Sequence, residues 1–313
     1  MADLLIWLNG NLVPQSEAKV SVFDHGVLYG DGIFEGIKSW DGKVFKLKEH
    51  IDRFYDSAHF LEIKLAQTPE EMCEIVANTI AANSLHEGIA YVRLVATRGI
   101  GDLGINPRKC QDHPTLYCIA SSIQLYPEEM YQNGLRCVTC NTRRNSVQSL
   151  PARVKSLNYL NNILGVIEVN RAGADEGVML SQEGYVGECT ADNIFFVKDG
   201  VVKTPAPFHG ILQGITRDSI LDIAQREGIP VEEGTYLTFD LYTADECWLT
   251  GTGADLIPVI EIDNRIIGTG KPGEIFKRLR SKWRGYIDEP GHYYQIPTKE
   301  EALKNLGAVR TAS

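Results

Sequence analysis

The sequence predicts an α+β protein of two domains, and three observations lead there. The chain has 313 residues, more than one domain of about 100–200 residues accommodates. Its apolar runs come mostly in pairs around Gly-containing turns, with few helical patterns between them, which favours neighbouring strands over alternating βαβ units. Between residues 122 and 134 the pattern lapses, and Pro127, Glu128, Glu129 and Asn133-Gly134 fall in a stretch without a period. That stretch reads as the connection between a smaller N-terminal α/β domain, 1–121, and a larger domain, 135–285, followed by a tail at 286–313.

Taken in order, the apolar runs at 4–8 and 11–13 flank Asn9-Gly10, a strong hairpin signal. A polar, Gly-dense stretch runs from Asp24 to Gly36, and strands at 33–40 and 43–47 meet at Asp41-Gly42. Leu47, Ile51, Phe54, Tyr55, Ala58 and Leu61 recur at three- and four-residue steps, which predicts a helix over 47–62. Thr68 before Pro69 opens a second helix that runs to about Ala82. Strands are expected near 89–98 and 114–121. In the second half a strand at 135–140 precedes a helix over 158–172 that ends at Gly173. Strand pairs at 176–187 and 193–203 turn at Glu183-Gly184 and Asp199-Gly200. A helix over 217–227 stops at Gly228, and 246–260 reads as strand, Gly-rich turn, strand. Thr298-x-x-Glu301 is a capping box that opens one short helix.

Composition narrows the function classes. Hydrophobic residues make up 43% and charged residues 23% of the chain, as in an ordinary globular protein. The formal charge of −10 argues against a general nucleic-acid footprint but not against a local pocket for a small anion. No apolar run reaches the 18 or so residues of a membrane span. Asp3 stands where a signal peptide needs bases, so the expectation is a cytoplasmic protein that binds neither membrane nor nucleic acid. Seven cysteines are scattered. Cys137 and Cys140, on one strand, point to opposite faces, and Cys110-x-x-His113 has no partner pair, so no metal site is expected. No G-x-G-x-x-G or G-x-x-x-x-G-K-[ST] match supports a dinucleotide or P-loop site.

Five segments could carry chemistry. Lys155 sits at a strand end just ahead of a helix, among Asn158, Tyr159, Asn161 and Asn162. It is either a surface lysine or one held in a pocket, where burial favours the neutral amine that attacks carbonyls. Glu188 and Asp192 lie between two apolar strands, as solvated loop acids or as a carboxylate turned inward onto a protonated ring nitrogen. Thr216 reads as the N-cap of the helix after Gly214, and the free N–H groups there suit an anion, although Asp218 could answer the helix dipole instead. Thr250-Gly251-Thr252-Gly253-Ala254-Asp255 is either a tight connection or a cradle of N–H donors. Arg53 either snorkels to solvent or forks onto a phosphate.

In this order the segments resemble the class IV aminotransferases, the fold type IV pyridoxal-phosphate enzymes, and among them the branched-chain amino acid aminotransferases. The resemblance runs from about residue 5 to about residue 285. Its most specific stretches are Tyr29-Gly30-Asp31-Gly32-Ile33-Phe34-Glu35-Gly36-Ile37, Lys155-Ser156-Leu157-Asn158-Tyr159-Leu160-Asn161, Gly214-Ile215-Thr216-Arg217-Asp218 and Ala244-Asp245-Glu246-Cys247-Trp248-Leu249-Thr250-Gly251-Thr252. It implies a two-domain fold like that of D-amino acid aminotransferase, whose larger domain is a pseudo-barrel, and pyridoxal 5'-phosphate as cofactor. By the same resemblance Lys155 forms the Schiff base and shuttles the proton, Glu188 meets the pyridine nitrogen, and Tyr159 meets the phenolic oxygen. Arg53, Ile215, Thr216 and Thr252 match the phosphate cup, and Leu212 packs on the ring. Phe34, Gly36, Tyr91, Arg93, Thr252 and Gly253 match substrate-pocket positions, and Tyr29 is similar to a residue that reaches across a dimer interface.

The sequence departs from the family at Gly253, in a turn that usually reads Gly-Thr-Ala-Ala-Glu, at Lys38, where arginine is common, and at Cys189, where a small residue is usual. The implied activity is transfer of the amino group of L-branched-chain amino acids to 2-oxoglutarate, by a homodimer or higher homo-oligomer whose other partners are small amino and 2-oxo acids. D-amino acid aminotransferase, (R)-amine transaminase and aminodeoxychorismate lyase are the alternatives within the fold. The Phe34-Glu35-Gly36 and Tyr91-Val92-Arg93 stretches favour the branched-chain group. A non-catalytic cofactor-binding protein is the alternative outside it, and Lys155 with Glu188 argues against that.

Overall fold

The computed structural model describes residues 4–111, 113–122 and 126–306. They form two compact units. One comprises Met1–Ile123, Val154–Asn158 and Glu289–Ser313, and the other Gln124–Arg153 and Tyr159–Asp288.

The first unit starts with strands β1 (Leu5–Leu8) and β2 (Asn11–Pro14), then helix α1 (His25–Tyr29), strands β3 (Gly32–Trp40) and β4 (Lys43–Phe45), helices α2 (Leu47–Phe60) and α3 (Pro69–Ala82), and strands β5 (Ile89–Thr97) and β6 (Leu116–Ser121). Asn9 and Gly10 turn the first hairpin, both with positive φ. Thr68 caps α3 through a full capping box with Glu71, and Pro69 is its first helical residue. The central pair β3–β5 is antiparallel in unbroken register from Gly32↔Thr97 to Trp40↔Ile89. Successive side chains alternate between the faces. Ile33, Ile37, Val92, Leu94 and Ala96 therefore enter one core with Ile51 and Phe54 of α2 and Met72, Val76 and Ile80 of α3. Phe34, Gly36, Tyr91 and Arg93 take the opposite face.

The second unit runs through α4 (Glu128–Asn133), β7 (Leu135–Thr139), α5 (Leu160–Ala172), β8 (Glu176–Leu180), β9 (Val186–Cys189), β10 (Asn193–Lys198), β11 (Val201–Pro205), α6 (Ile215–Arg226), β12 (Val231–Gly234), α7 (Thr238–Tyr242), β13 (Glu246–Gly251), β14 (Asp255–Ile262), β15 (Arg265–Ile266) and α8 (Glu274–Ile287). The chain then returns to the first unit with β16 (Tyr293–Gln295) and α9 (Lys299–Asn305). Among the described residues the first sheet has strand order β16-β4-β3-β5-β6-β1-β2, and the second β12-β11-β10-β13-β14-β7-β8-β9 with β15 on β14.

Three features differ from the sequence reading. Residues 286–313, expected as a tail outside the fold, are not an appendage over their described part: β16 pairs with β4, and Ala302 of α9 is buried in the core beneath the first sheet. The stretch expected as a plain connection contains α4, which is too short to show a period; residues 123–125 of that connection lie outside the described residues. The second sheet also contains parallel pairs, β7 with β8 and β11 with β12, bridged by α5 and α6. Such neighbours need a crossover, and hairpin signals alone do not reveal one. Cys137 and Cys140 enter different apolar clusters.

Candidate active site

In the first unit, register sets Gly36 opposite Arg93 and Lys38 opposite Tyr91. A Cβ on Gly36 would lie 2.1 Å from the Tyr91 hydroxyl, so only glycine lets the phenol lie across β3. The Arg93 guanidinium stands 4.5 Å from the Phe34 ring centroid and 5.8 Å from that of Tyr91. Lys155 reaches the Phe34 ring as well, with Nζ 4.8 Å from its centroid. The backbone around the lysine is pinned to the start of β3. The Phe34 N–H donates to the Lys155 carbonyl at 3.0 Å, the Leu157 N–H to the Gly32 carbonyl at 2.8 Å, and Ile33 bridges Ser156. Lys155 N–H also donates to the hydroxyl of the buried Ser57 at 3.3 Å. Lys38, on the same face, is buried against Trp40. Tyr29 closes α1, and its hydroxyl accepts from the Gly104 N–H at 2.7 Å.

Arg53 does not snorkel. It rises from α2 and forks onto Glu35, with Nε 2.7 Å from Oε1 and Nη2 2.8 Å from Oε2. His50, one turn earlier, donates from Nδ1 to Oε2 at 2.8 Å. Burial pushes the Glu35 carboxyl up, but the Arg53 charge and the hydrogen bonds from His50 and Arg53 outweigh it and hold the group at about 2. Burial also pushes the His50 imidazole down, only partly countered by Glu35, which leaves it neutral. Glu35 and His50 are not among the residues that the sequence singles out. Alternation along β3 is the signal that finds Glu35, since it puts a charge between Ile33 and Ile37 on the core face.

In the second unit Glu188 is buried on β9, not solvated. One carboxylate oxygen pairs with Arg144 Nη2 at 2.8 Å. The other accepts from the Leu212 N–H at 2.8 Å and from Asn193 Nδ2 at 3.4 Å. Arg144 is held in turn by Asn161 and Asn162 at 3.0 and 3.1 Å. Asn193 also donates to the Leu212 carbonyl at 2.8 Å, which ties the acid to the loop before α6. Asp192 is buried as well. Tyr159 is the N-terminal flanking residue of α5, just ahead of those asparagines.

The helix after Gly214 corrects one expectation. Thr216 is not its N-cap: α6 opens at Ile215, with Gly214 as N-cap and no capping side chain. A Cβ on Gly214 would meet Asn193 Oδ1 at 2.1 Å, so close packing selects glycine there. The first backbone bond of the helix is Asp218 N–H to the Gly214 carbonyl. The N–H groups of Ile215, Thr216 and Arg217 therefore precede the helical ladder at its positive end, the arrangement that binds phosphate. Asp218 pairs with Arg217 at 3.0 Å. Thr252 and Gly253 sit in the three-residue turn joining β13 to β14, across which Gly251 pairs with Asp255.

Each unit has features that fit part of a phosphorylated pyridine: in the second a buried, ion-paired carboxylate and an uncapped helix start, and in the first an amine beside an aromatic wall. The model of the amino-transferase class IV family matches residues 32–262. The chain belongs to the class IV aminotransferases. A Methanocaldococcus jannaschii protein provisionally named a branched-chain-amino-acid aminotransferase is 52% identical over 279 residues, 89% of this chain and 95% of that one. The solved branched-chain amino acid aminotransferase of Escherichia coli superposes with a TM-score of 0.90 at 32% identity, over 94% of this chain and 100% of that one. The T.th. enzyme of the same name, complexed with N-(5'-phosphopyridoxyl)-L-glutamate, gives 0.87 at 35% identity, over 95% and 100%. The fold is thus fold type IV, and pyridoxal 5'-phosphate is the cofactor. Among the described residues no helix is long and apolar enough to cross a membrane.

Proposed function

We propose that this aminotransferase moves the amino group of L-branched-chain amino acids to 2-oxoglutarate, giving branched-chain 2-oxo acids and L-glutamate. The observation that carries the reading is the shared face of β3 and β5. One pocket must accept an apolar side chain in one half-reaction and a distal carboxylate in the other. Phe34 offers an apolar wall, while Arg93, stacked on that wall, offers a cation, with the Tyr91 hydroxyl beside it. The T.th. neighbour with its phosphopyridoxyl-glutamate supports the acidic partner.

When bound, pyridoxal phosphate supplies the carbonyl that takes the amino group and the conjugated ring that draws off negative charge. The residues do the rest. Lys155 attaches the cofactor and, once displaced, its Nζ moves the proton at the substrate Cα. Glu188 holds a proton at the ring nitrogen, and Arg144 and the Leu212 N–H keep the carboxylate charged and aimed. Tyr159 steadies the phenolic oxygen, and Leu212 covers one face of the ring. The N–H groups at the start of α6, the Thr216 and Thr252 side chains and Arg53 grip the phosphate; Thr252 and Gly253 also face the substrate carboxylate.

A donor panel of L-leucine, L-isoleucine, L-valine, D-alanine and (R)-1-phenylethylamine with 2-oxoglutarate tests the reading. The purified protein is expected to be yellow, to lose its visible band with the L-branched donors, and to turn over only those at appreciable rates. Preference for the D- or (R)-donors would overturn it. Arg53→Ala is expected to lose cofactor on dilution by about tenfold or more, the scale of one charge-assisted phosphate contact, while turnover at saturating cofactor changes less. Equal cofactor affinity would remove Arg53 from the cup.

We also propose a homodimer. In the Gly-dense stretch 24–36, Val27, Leu28, Ile33 and Phe34 are too apolar for a free loop, and the resemblance puts the matching segment at an interface. Ile33 and Phe34 are buried, but Val27 and Leu28 remain exposed beside Tyr29, and Val22, Phe23, Leu103 and Ile105 add to the exposed apolar surface. Leu160, Ile163, Leu164 and Ile167 on α5 form another exposed apolar face. Sedimentation is expected to give twice the chain mass or a multiple of it, and a monomer would count against the interface.

A further inference from the structure

We propose that Glu35, braced by His50, is a positioning residue that aims the Arg53 guanidinium at the cofactor phosphate, so that the anion is gripped by alignment and not by surplus charge. This rests on the reading that Arg53 belongs to the phosphate cup. Glu35 is wholly buried on the α2-facing side of β3, the face opposite Phe34 and Gly36. A carboxylate among Ile33, Ile37, Ile51 and Phe54 must be paired to be tolerated there. Both of its oxygens are engaged: Oε1 takes Arg53 Nε, and Oε2 takes Arg53 Nη2 together with His50 Nδ1.

Two parallel N–H···O bonds fix the plane and the rotation of a guanidinium, which a single contact does not. Nη1 is the terminal nitrogen that Glu35 does not take. His50 completes the fixture. Its side chain is 1% exposed and that of Glu35 is 0% exposed, so the carboxylate has no room to swing away. The pair Glu35–Arg53 carries no net charge. If charge alone mattered to phosphate binding, Glu35 would be a liability in that position. Its fork is worth keeping only if orientation outweighs the lost monopole.

That contrast gives a test with opposite signs. Glu35→Gln keeps the side-chain shape but removes the charge and one acceptor. A mere counter-ion, once removed, should leave Arg53 a stronger anion site, and the cofactor should be held as tightly or more tightly. A positioning residue, once removed, should let the guanidinium turn, and the holoenzyme should lose pyridoxal phosphate on dilution about tenfold more readily, the scale of one charge-assisted hydrogen bond. The loss should be specific to the phosphate. Reconstitution with pyridoxal, which lacks it, should change little, whereas a site damaged in general would lose both.

The cycle with Arg53→Ala separates the two readings. If Arg53→Ala itself leaves cofactor retention unchanged, the phosphate role of Arg53 fails. If Arg53→Ala weakens retention but Glu35→Gln does not, or weakens it equally with and without Arg53, only the positioning role fails. The expected result is that Glu35→Gln has no further effect once Arg53 is alanine. Should Glu35→Gln fold poorly, His50→Phe leaves both charges and removes the brace. It is expected to weaken retention several-fold, with recovery in His50→Asn, whose amide can donate near the Nδ1 position. Retention in His50→Phe as tight as in the parent would overturn the bracing role.

Discussion

Lys155→Ala is expected to abolish transamination while leaving the fold in place. In the proposed mechanism the side chain carries two duties: attachment of the cofactor and proton movement at the substrate Cα. General acid–base catalysis alone is worth about 10²–10⁴-fold, and loss of the covalent attachment adds to that, so kcat should fall by at least about a thousandfold. Stability should change little, because the segment is held through its backbone. The Lys155 carbonyl accepts from the Phe34 N–H, its N–H donates to Ser57, and Leu157 bonds to Gly32, and alanine keeps all of these. Borohydride reduction of the parent protein followed by peptide mapping should place the pyridoxyl group on Lys155. A modified lysine elsewhere, or an alanine variant that still turns over L-leucine, would remove Lys155 from the centre of the reaction.

What makes this lysine legible is its company. Taken alone, a lysine ahead of a helix is ordinary. The block around it becomes informative because Tyr29–Ile37, Gly214–Asp218 and Ala244–Thr252 follow the same family order. Periodicity places α2 well, since it buries one stripe, and Thr68 with Pro69 places α3, which carries its own capping box. The strand pair around Asn9-Gly10 is readable for a similarly local reason. The crossovers through α5 and α6 are not, because a parallel neighbour is chosen by tertiary packing and leaves no turn signature. β16 escapes a sequence reading because three residues are too few to show alternation, and their partners in β4 lie at Lys43–Phe45, near the other end of the chain.

The site is half legible in the same sense. Phe34, Gly36, Tyr91 and Arg93 meet on one face because both strands alternate in register, and both strands are expected from the sequence. Thr216 is the misleading residue: a hydroxyl before an apolar run looks like a cap, but the helix starts earlier, at Ile215, with Gly214 as its N-cap. Glu35 shows itself only through the alternation along β3, and His50 and Arg144 give no signal of their own, because each is recognised by the group it pairs with. Their partners lie 15, 18 and 44 positions away in sequence, as Glu35 to His50, Glu35 to Arg53 and Arg144 to Glu188. Such pairing across elements is set by register and helix phase, which a single sequence states only indirectly.

Glu188→Gln is expected to slow proton removal from the substrate by about a hundred- to a thousandfold, the cost of removing one group aimed at developing charge. The parent carboxylate is fully engaged within its unit: Arg144 holds one oxygen, and the Leu212 N–H and Asn193 hold the other. A glutamine fills the same volume but offers only one acceptor oxygen, so either Arg144 loses its partner or the Leu212 N–H and Asn193 lose theirs. In the proposed mechanism it also cannot balance a proton on the ring nitrogen, and that balance matters most when charge flows into the ring. The effect should therefore fall on kcat more than on KM, the pattern of an interaction made mainly in the transition state. Glu188→Asp, which keeps the charge on a shorter stem, should recover part of the rate. The measurement is a stopped-flow half-reaction with L-leucine at saturating cofactor, alongside cofactor content and far-ultraviolet circular dichroism. A folded, cofactor-loaded Glu188→Gln protein with a near-parental half-reaction rate would mean that the acid serves the packing of Arg144 and Leu212 and not the chemistry.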